Sequence, residues 1–210
     1  MLLSDKLLMG KSAIIPITFV NSNFTQNTAS GTTLVINKPV NTIDGDLMIA
    51  SMGTSSTNAT TWTGGTGWNE VYDQNARGGL RLAWKIAASE GASYTFTNSA
   101  SSDTLGGVIL TYRHALFDIV GLATTATNPV APSINVALAN SILIGYCNVS
   151  NANTTFTLPA TMTQKSIDNG SNGPSWIIGD ETINNGASGT RSFIGTPTNS
   201  TAILLAIKPN

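Results

Sequence analysis

Scattered acids, one histidine, one cysteine and a glycine-rich loop are the parts of this 210-residue chain that could carry chemistry. Glycoside hydrolysis needs two carboxyl groups facing each other across a cleft, one with a raised pKa. Here Glu70 and Asp73 flank an apolar run, Glu90 lies in a Gly-rich turn, Asp103, Asp118 and Asp168 stand apart, and Asp180 and Glu181 are neighbours in sequence. The one compact set, Asp44-Gly45-Asp46, has the spacing of a tight turn leading into Leu47, with calcium ligation as the alternative for so oxygen-rich a loop. A hydrolytic triad needs a base beside its nucleophile, and the only histidine, His114, stands where a strand is expected to end in a turn. Cys147 is the single cysteine and sits in the apolar run 142–149, which rules out a disulfide within the chain and suits a small buried side chain. The loop Thr63-Gly64-Gly65-Thr66-Gly67-Trp68 lacks the Lys-Ser/Thr ending and the following helix of a phosphate loop. The expectation is a chain with no catalytic residue, no metal site and no cofactor.

Aromatic side chains leave a binding role open. Trp62, Trp68, Trp84 and Trp176 suit either core anchors or a sugar-stacking platform. Trp62, in a Thr-rich loop, is the tryptophan expected to be exposed. With Asn58 and Asn153, in loops of the same character, it forms a candidate glycan-binding set.

The elements that would position these residues are strands. Apolar and β-branched runs recur about every ten residues, each bounded by Gly, Asn, Ser or Pro, and no dozen-residue segment carries a helical apolar period. The clearest strand, Leu80-Arg81-Leu82-Ala83-Trp84-Lys85-Ile86, alternates with period two, so Leu80, Leu82, Trp84 and Ile86 are expected in the core and Arg81, Ala83 and Lys85 toward water or a partner. Only residues 4–9 could form a turn of helix.

The chain also repeats itself at a constant offset. Leu47-Met48-Ile49-Ala50 aligns with Ile142-Leu143-Ile144-Gly145, Asp73 with Asp168, and Val108-Ile109-Leu110 with Ile203-Leu204-Leu205. Two copies of so long a unit are not a solenoid. The fold expected is all-β: a jelly-roll-like, two-sheet β-sandwich built from two similar halves, with an N-terminal extension. Residues 17–210 form one sandwich domain, with the repeats at about 37–113 and 132–208.

Composition narrows the partners. The formal net charge is −1, with 10% charged residues and no Lys/Arg run, so no basic footprint for nucleic acid or an acidic membrane is present. No stretch reaches the ~20 apolar residues of a membrane-spanning helix. Asp5 and Lys6 interrupt the apolar opening, which reads against a secretory signal and for assembly in a cytoplasm.

Residues 1–16 lie outside both repeats and carry Leu2, Leu3, Leu7, Leu8, Met9, Ile14 and Ile15. So much apolar surface needs cover. The arm is expected either to cap its own sandwich or to be donated to a neighbouring subunit, and these residues are the candidate partner-binding set.

The segment Asp44-Gly45-Asp46-Leu47-Met48-Ile49-Ala50, then Gly67-Trp68, then Leu82-Ala83-Trp84-Lys85-Ile86-Ala87 resembles a β-sandwich module of virion proteins from tailed bacteriophages, best over residues 40–113. Asp5-Lys6-Leu7-Leu8-Met9-Gly10 is similar to the starts of phage structural proteins, and Thr66 stands where such modules often have Pro before the Gly-Trp. The resemblance implies a non-enzymatic virion component, a capsid decoration or cement protein that bridges shell subunits. Its partners would be the major capsid protein, or tail proteins, and further copies of itself in a homotrimer. The alternative it leaves is a tail- or fibre-associated module reading a carbohydrate or receptor.

Overall fold

The computed structural model describes residues 14–27, 29–56, 60–74, 79–99, 104–150, 155–168, 173–195 and 200–210, and among them every regular element is a strand. The first half contributes β1 (Thr18–Gln26), β2 (Thr33–Asn37), β3 (Leu47–Thr54), β4 (Trp62–Gly64), β5 (Asn69–Asp73), β6 (Arg81–Ile86), β7 (Ser93–Asn98) and β8 (Leu105–Arg113). The second contributes β9 (Ala115–Val120), β10 (Thr124–Ala126), β11 (Val130–Ala131), β12 (Asn135–Val136), β13 (Ser141–Val149), β14 (Phe156–Thr157), β15 (Thr163–Asp168), β16 (Ser175–Ile183), β17 (Gly186–Ala187), β18 (Arg191–Ser192), β19 (Ile194–Gly195) and β20 (Ser200–Pro209).

Two antiparallel central sheets run in matching order, β1-β8-β3-β6-β5 and β10-β20-β13-β16-β15, with β9 also on β20. Their facing sides share one core, built from Leu47, Ile49, Leu82, Leu110 and Tyr112 against Ile144, Tyr146, Ile178, Leu205 and Ile207. Each central sheet also buries its other side. The sheet β2-β7-β4 covers Met48, Ala50, Met52 and Ile109, while the short ladders β11-β18, β12-β17 and β14-β19 cover Leu143, Cys147, Ala202 and Leu204. The β-sandwich expected from the sequence is thus the middle of a thicker object.

That layering explains why β3, β8, β13 and β20 read as unbroken apolar runs: a strand buried on both faces cannot alternate. It also corrects the expectation for β6. Leu82 faces the shared core as predicted, but Arg81 and Ala83 are buried too, at 6% and 0% exposure, because the second layer reaches over them.

Ladder register defines how the halves correspond. Leu47 pairs with Tyr112 as Ile142 pairs with Ile207, in keeping with the sequence offset. Elsewhere the constant offset fails. Ser51 pairs with Leu82 as Tyr146 pairs with Ile178, so Leu82 corresponds to Ile178 and not to Ile177. Asp73, opposite Arg81, corresponds to Ile167, opposite Ile177, and not to Asp168. One extra residue between β13 and β16 is accommodated outside the strands, because a slip within them would turn every side chain to the wrong face. The irregularities correspond as well: Val20 and Asp118 are the extra residues of one pair of bulges, Val71 and Lys165 of the other.

Candidate functional site

Of the arm residues, Leu2, Leu3, Leu7, Leu8 and Met9 lie outside the described residues, and Ile14 and Ile15 lie within them. Both are exposed, at 59% and 56%. Ile14 helps line a groove of about 310 Å³ with Pro16, Ile17, Asn140, Ile142 and Thr182. The groove sits at the end of the sandwich where β1 begins beside Arg113 and where β13 begins.

Other apolar side chains surface at that same end. Val40 and Ile43, in the turns before β3, are 66% and 56% exposed, and Leu138, before β13, is 47% exposed. The two turns are closed by side chains in opposite senses. Asp46 accepts from the Ile43 amide at 3.0 Å, and the Ser141 hydroxyl donates to the Leu138 carbonyl at 2.7 Å. Sequence reasoning took these segments only as punctuation between strands; the signal that could have found them is a large aliphatic residue where a turn wants a polar one.

Two ion pairs stand at this end. Arg113 Nε and Nη2 donate to Asp46 at 2.9 and 3.0 Å, and Lys208 Nζ lies 3.5 Å from Asp118. Asp44 accepts from the Ser89 amide at 2.8 Å, so the Asp44-Gly45-Asp46 segment is the turn expected of it, with Gly45 at φ 90°. His114 joins β8 to β9 in the left-handed region at φ 58°, and its carbonyl accepts from the Asn210 amide at 3.1 Å.

Of the candidate glycan-binding set, Trp62 alone lies within the described residues. Trp62, expected to be exposed, is 3% exposed, because β4 lays it under the outer sheet, where its indole Nε1 donates to the Gly79 carbonyl at 2.6 Å. Asn58 and Asn153 lie outside the described residues. Trp68 and Trp84 are the half-buried tryptophans: Trp68 meets Tyr94 edge-on at 5.2 Å, and Trp84 stacks on Phe117 at 5.4 Å. Gly65 lets the loop before Trp68 press on its neighbours, since a Cβ there would fall 2.5 Å from Phe96 Cε1.

Scans against protein-family models, curated proteins and solved structures each return no match.

Further ion pairs lie among the described residues. Lys85 holds Glu90 at 2.6 Å, Arg191 holds Glu181 at 2.5 Å, and Arg81 Nε lies 2.8 Å from Glu70 without hydrogen-bond alignment. Burial works against Glu90 ionising, but Lys85, the Ala88 amide and the Tyr94 hydroxyl outweigh it and lower its pKa. The most buried network lies between the central sheets. The Tyr112 hydroxyl donates to Asp180 Oδ2 at 2.9 Å, Lys165 Nζ stands 3.2 Å from Asp180 Oδ1, and the same ammonium lies 4.8 Å from the Phe19 ring centroid. The bulge at Lys165 re-aims that side chain toward the acid. Burial pushes both Asp180 and Tyr112 up, the latter reinforced by the Asp180 charge. With Tyr112 at 0% and Asp180 at 7% exposure, this network pins one sheet to the other and leaves little room for a substrate.

Proposed function

We propose that this chain is a non-enzymatic structural protein of a bacteriophage virion, a decoration or cement protein that bridges neighbouring shell subunits. The observation that carries the reading is the exposure of Ile14 and Ile15, at 59% and 56%, where the apolar arm of residues 1–13 joins the sandwich. A body buried on both faces of its central sheets is rigid, and an apolar segment leaving one end of it is suited to adhesion. Many copies, each making a modest contact, hold a shell through multivalency. A symmetric oligomer, in particular a trimer at three-fold positions, multiplies that effect.

Immunogold electron microscopy of virions with antibody to the recombinant chain tests the placement. Label over the whole head is expected; label confined to the tail tip replaces the cement role with receptor or carbohydrate binding, and unlabelled particles overturn the virion reading. Deleting residues 1–12 should abolish capsid binding while leaving a folded sandwich, and retained binding would exclude the arm as the contact.

A further inference from the structure

Among the described residues, every ladder joins strands of the same half: β1 to β8 pair only with one another, and so do β9 to β20. The halves meet through side chains, in the core that sets Leu110 and Tyr112 against Tyr146 and Leu205, and in polar contacts such as Gln26 Nε2 donating to the Gly173 carbonyl at 2.9 Å. The chain passes from one half to the other at a single residue, His114, which separates β8 from β9.

His114 turns that corner at φ 58°, a left-handed conformation that strains an L-amino acid and that glycine adopts freely. The other non-glycine residues with positive φ, Asn41, Ser89 and Asn140, lie in turns within one half or the other. With extended backbone at residue 114, β8 would run straight into β9 and the strain would be gone. The halves would then part, and each would bare the face that carries Leu47, Ile49 and Leu110, or Ile144, Ile178 and Leu205. Apolar faces of that kind need cover. The surface shaped to cover each is the other half, and with the corner straightened a second copy is what supplies it.

We infer that the chain exchanges halves: straightened at His114, two copies form a closed dimer in which the first half of each packs on the second half of the other. Every contact between the halves is kept, as domain swapping requires. Only the corner is remade, including the bond from the Asn210 amide to the His114 carbonyl at 3.1 Å. A short, strained hinge favours the exchange. Opposing it is the high effective concentration that so short a link gives two halves of one chain, millimolar or above. Single chains therefore prevail at micromolar concentration, and exchange belongs to crowded refolding. The inference is independent of the virion reading, since it concerns the folding of the chain and not what the chain adheres to.

Refolding the full chain from urea at roughly millimolar and at roughly micromolar concentration, followed by size-exclusion chromatography with light scattering, tests it. Dimer is expected from the concentrated sample and single chain from the dilute one, with the same near-UV circular dichroism spectrum. The dimer should persist on dilution, because parting it means opening both cores. His114→Gly eases the closed corner, by about threefold at each of two corners, and should raise the concentration needed for dimer about tenfold. His114→Pro fixes φ near about −65°, forbids the corner, and should give dimer at both concentrations. If His114→Pro fails to fold, the His114→Gly shift decides alone. Single chains under every condition overturn the inference, as do a dimer that falls apart on dilution and a folded, monomeric His114→Pro. An oligomer indifferent to residue 114 overturns it too, and leaves the virion reading as it stands.

Discussion

The hydroxyl of Tyr112 on β8 donates to Oδ2 of Asp180 on β16 at 2.9 Å, joining the two central sheets through the core they share. Removing the donor by Tyr112→Phe leaves Asp180 with Lys165 alone in a buried setting. The expected loss is about 1–3 kcal/mol, the cost of an unsatisfied buried acceptor. Urea unfolding measures it, and a midpoint equal to wild type would show the bond to be idle.

Asp180 also makes a pH prediction. Burial, opposed by Lys165 and the Tyr112 hydroxyl, holds its carboxyl above the ordinary range. The folded protein therefore keeps the proton over a window in which the unfolded chain has lost it, and stability falls as pH rises through that window. The window opens just above the ordinary aspartate value of about 3.9. Asp180→Asn should lose less stability than wild type as pH rises above about 4; parallel curves from urea midpoints would contradict the assignment.

Gly106 on β8 lies under the Trp176 ring, and a Cβ there would fall 2.6 Å from Cζ3 and Cη2. Gly106→Ala should cost about 1–3 kcal/mol through overpacking. Combined with Trp176→Leu, the total should be smaller than the sum of the two single losses, because the clash disappears with the ring. Additive losses in thermal unfolding would mean the contact is not where the strain lies.

Trp62→Phe keeps an aromatic ring but leaves the Gly79 carbonyl without its donor. The expected loss is about 1–3 kcal/mol, or about 2–4 °C in Tm per kcal/mol for a chain of this size. An unchanged Tm would be inconsistent with Trp62 as a buried anchor.

Cys147 is 1% exposed, and burial pushes its thiol pKa up, so thiolate is scarce at neutral pH. Ellman's reagent should label it only as fast as the sandwich opens. Rapid labelling of a chain with native circular dichroism would refute this placement.

Long strands are legible because burial on both faces writes itself as continuous apolar sequence, as in Leu105–Arg113. Short outer ladders are not. The segment 190–194 divides into β18 and β19 around the fully buried Phe193, because each piece has a different partner. Two-residue strands rich in Gly, Ser and Thr carry no period to detect. The apolar end was half legible, through Ile14 and Ile15; Val40, Ile43 and Leu138 belong to two segments far apart in sequence, before β3 and before β13.

The corresponding corners of the two halves differ in kind. Phe19 pairs with Tyr112 as Phe117 pairs with Ile207, and Ile49 pairs with Trp84 as Ile144 pairs with Asp180. One corner thus sets Lys165 and Asp180 against Phe19 and Tyr112, and the other stacks Trp84 on Phe117 beside Ile207. A first half matched with another first half would strand the Tyr112 hydroxyl against Trp84. A second half matched with its like would press Lys165 and Asp180 on Phe117 and Ile207, with no phenol to share the acid. The two sheets meet as lock and key, and each half is the template against which only its sibling fits.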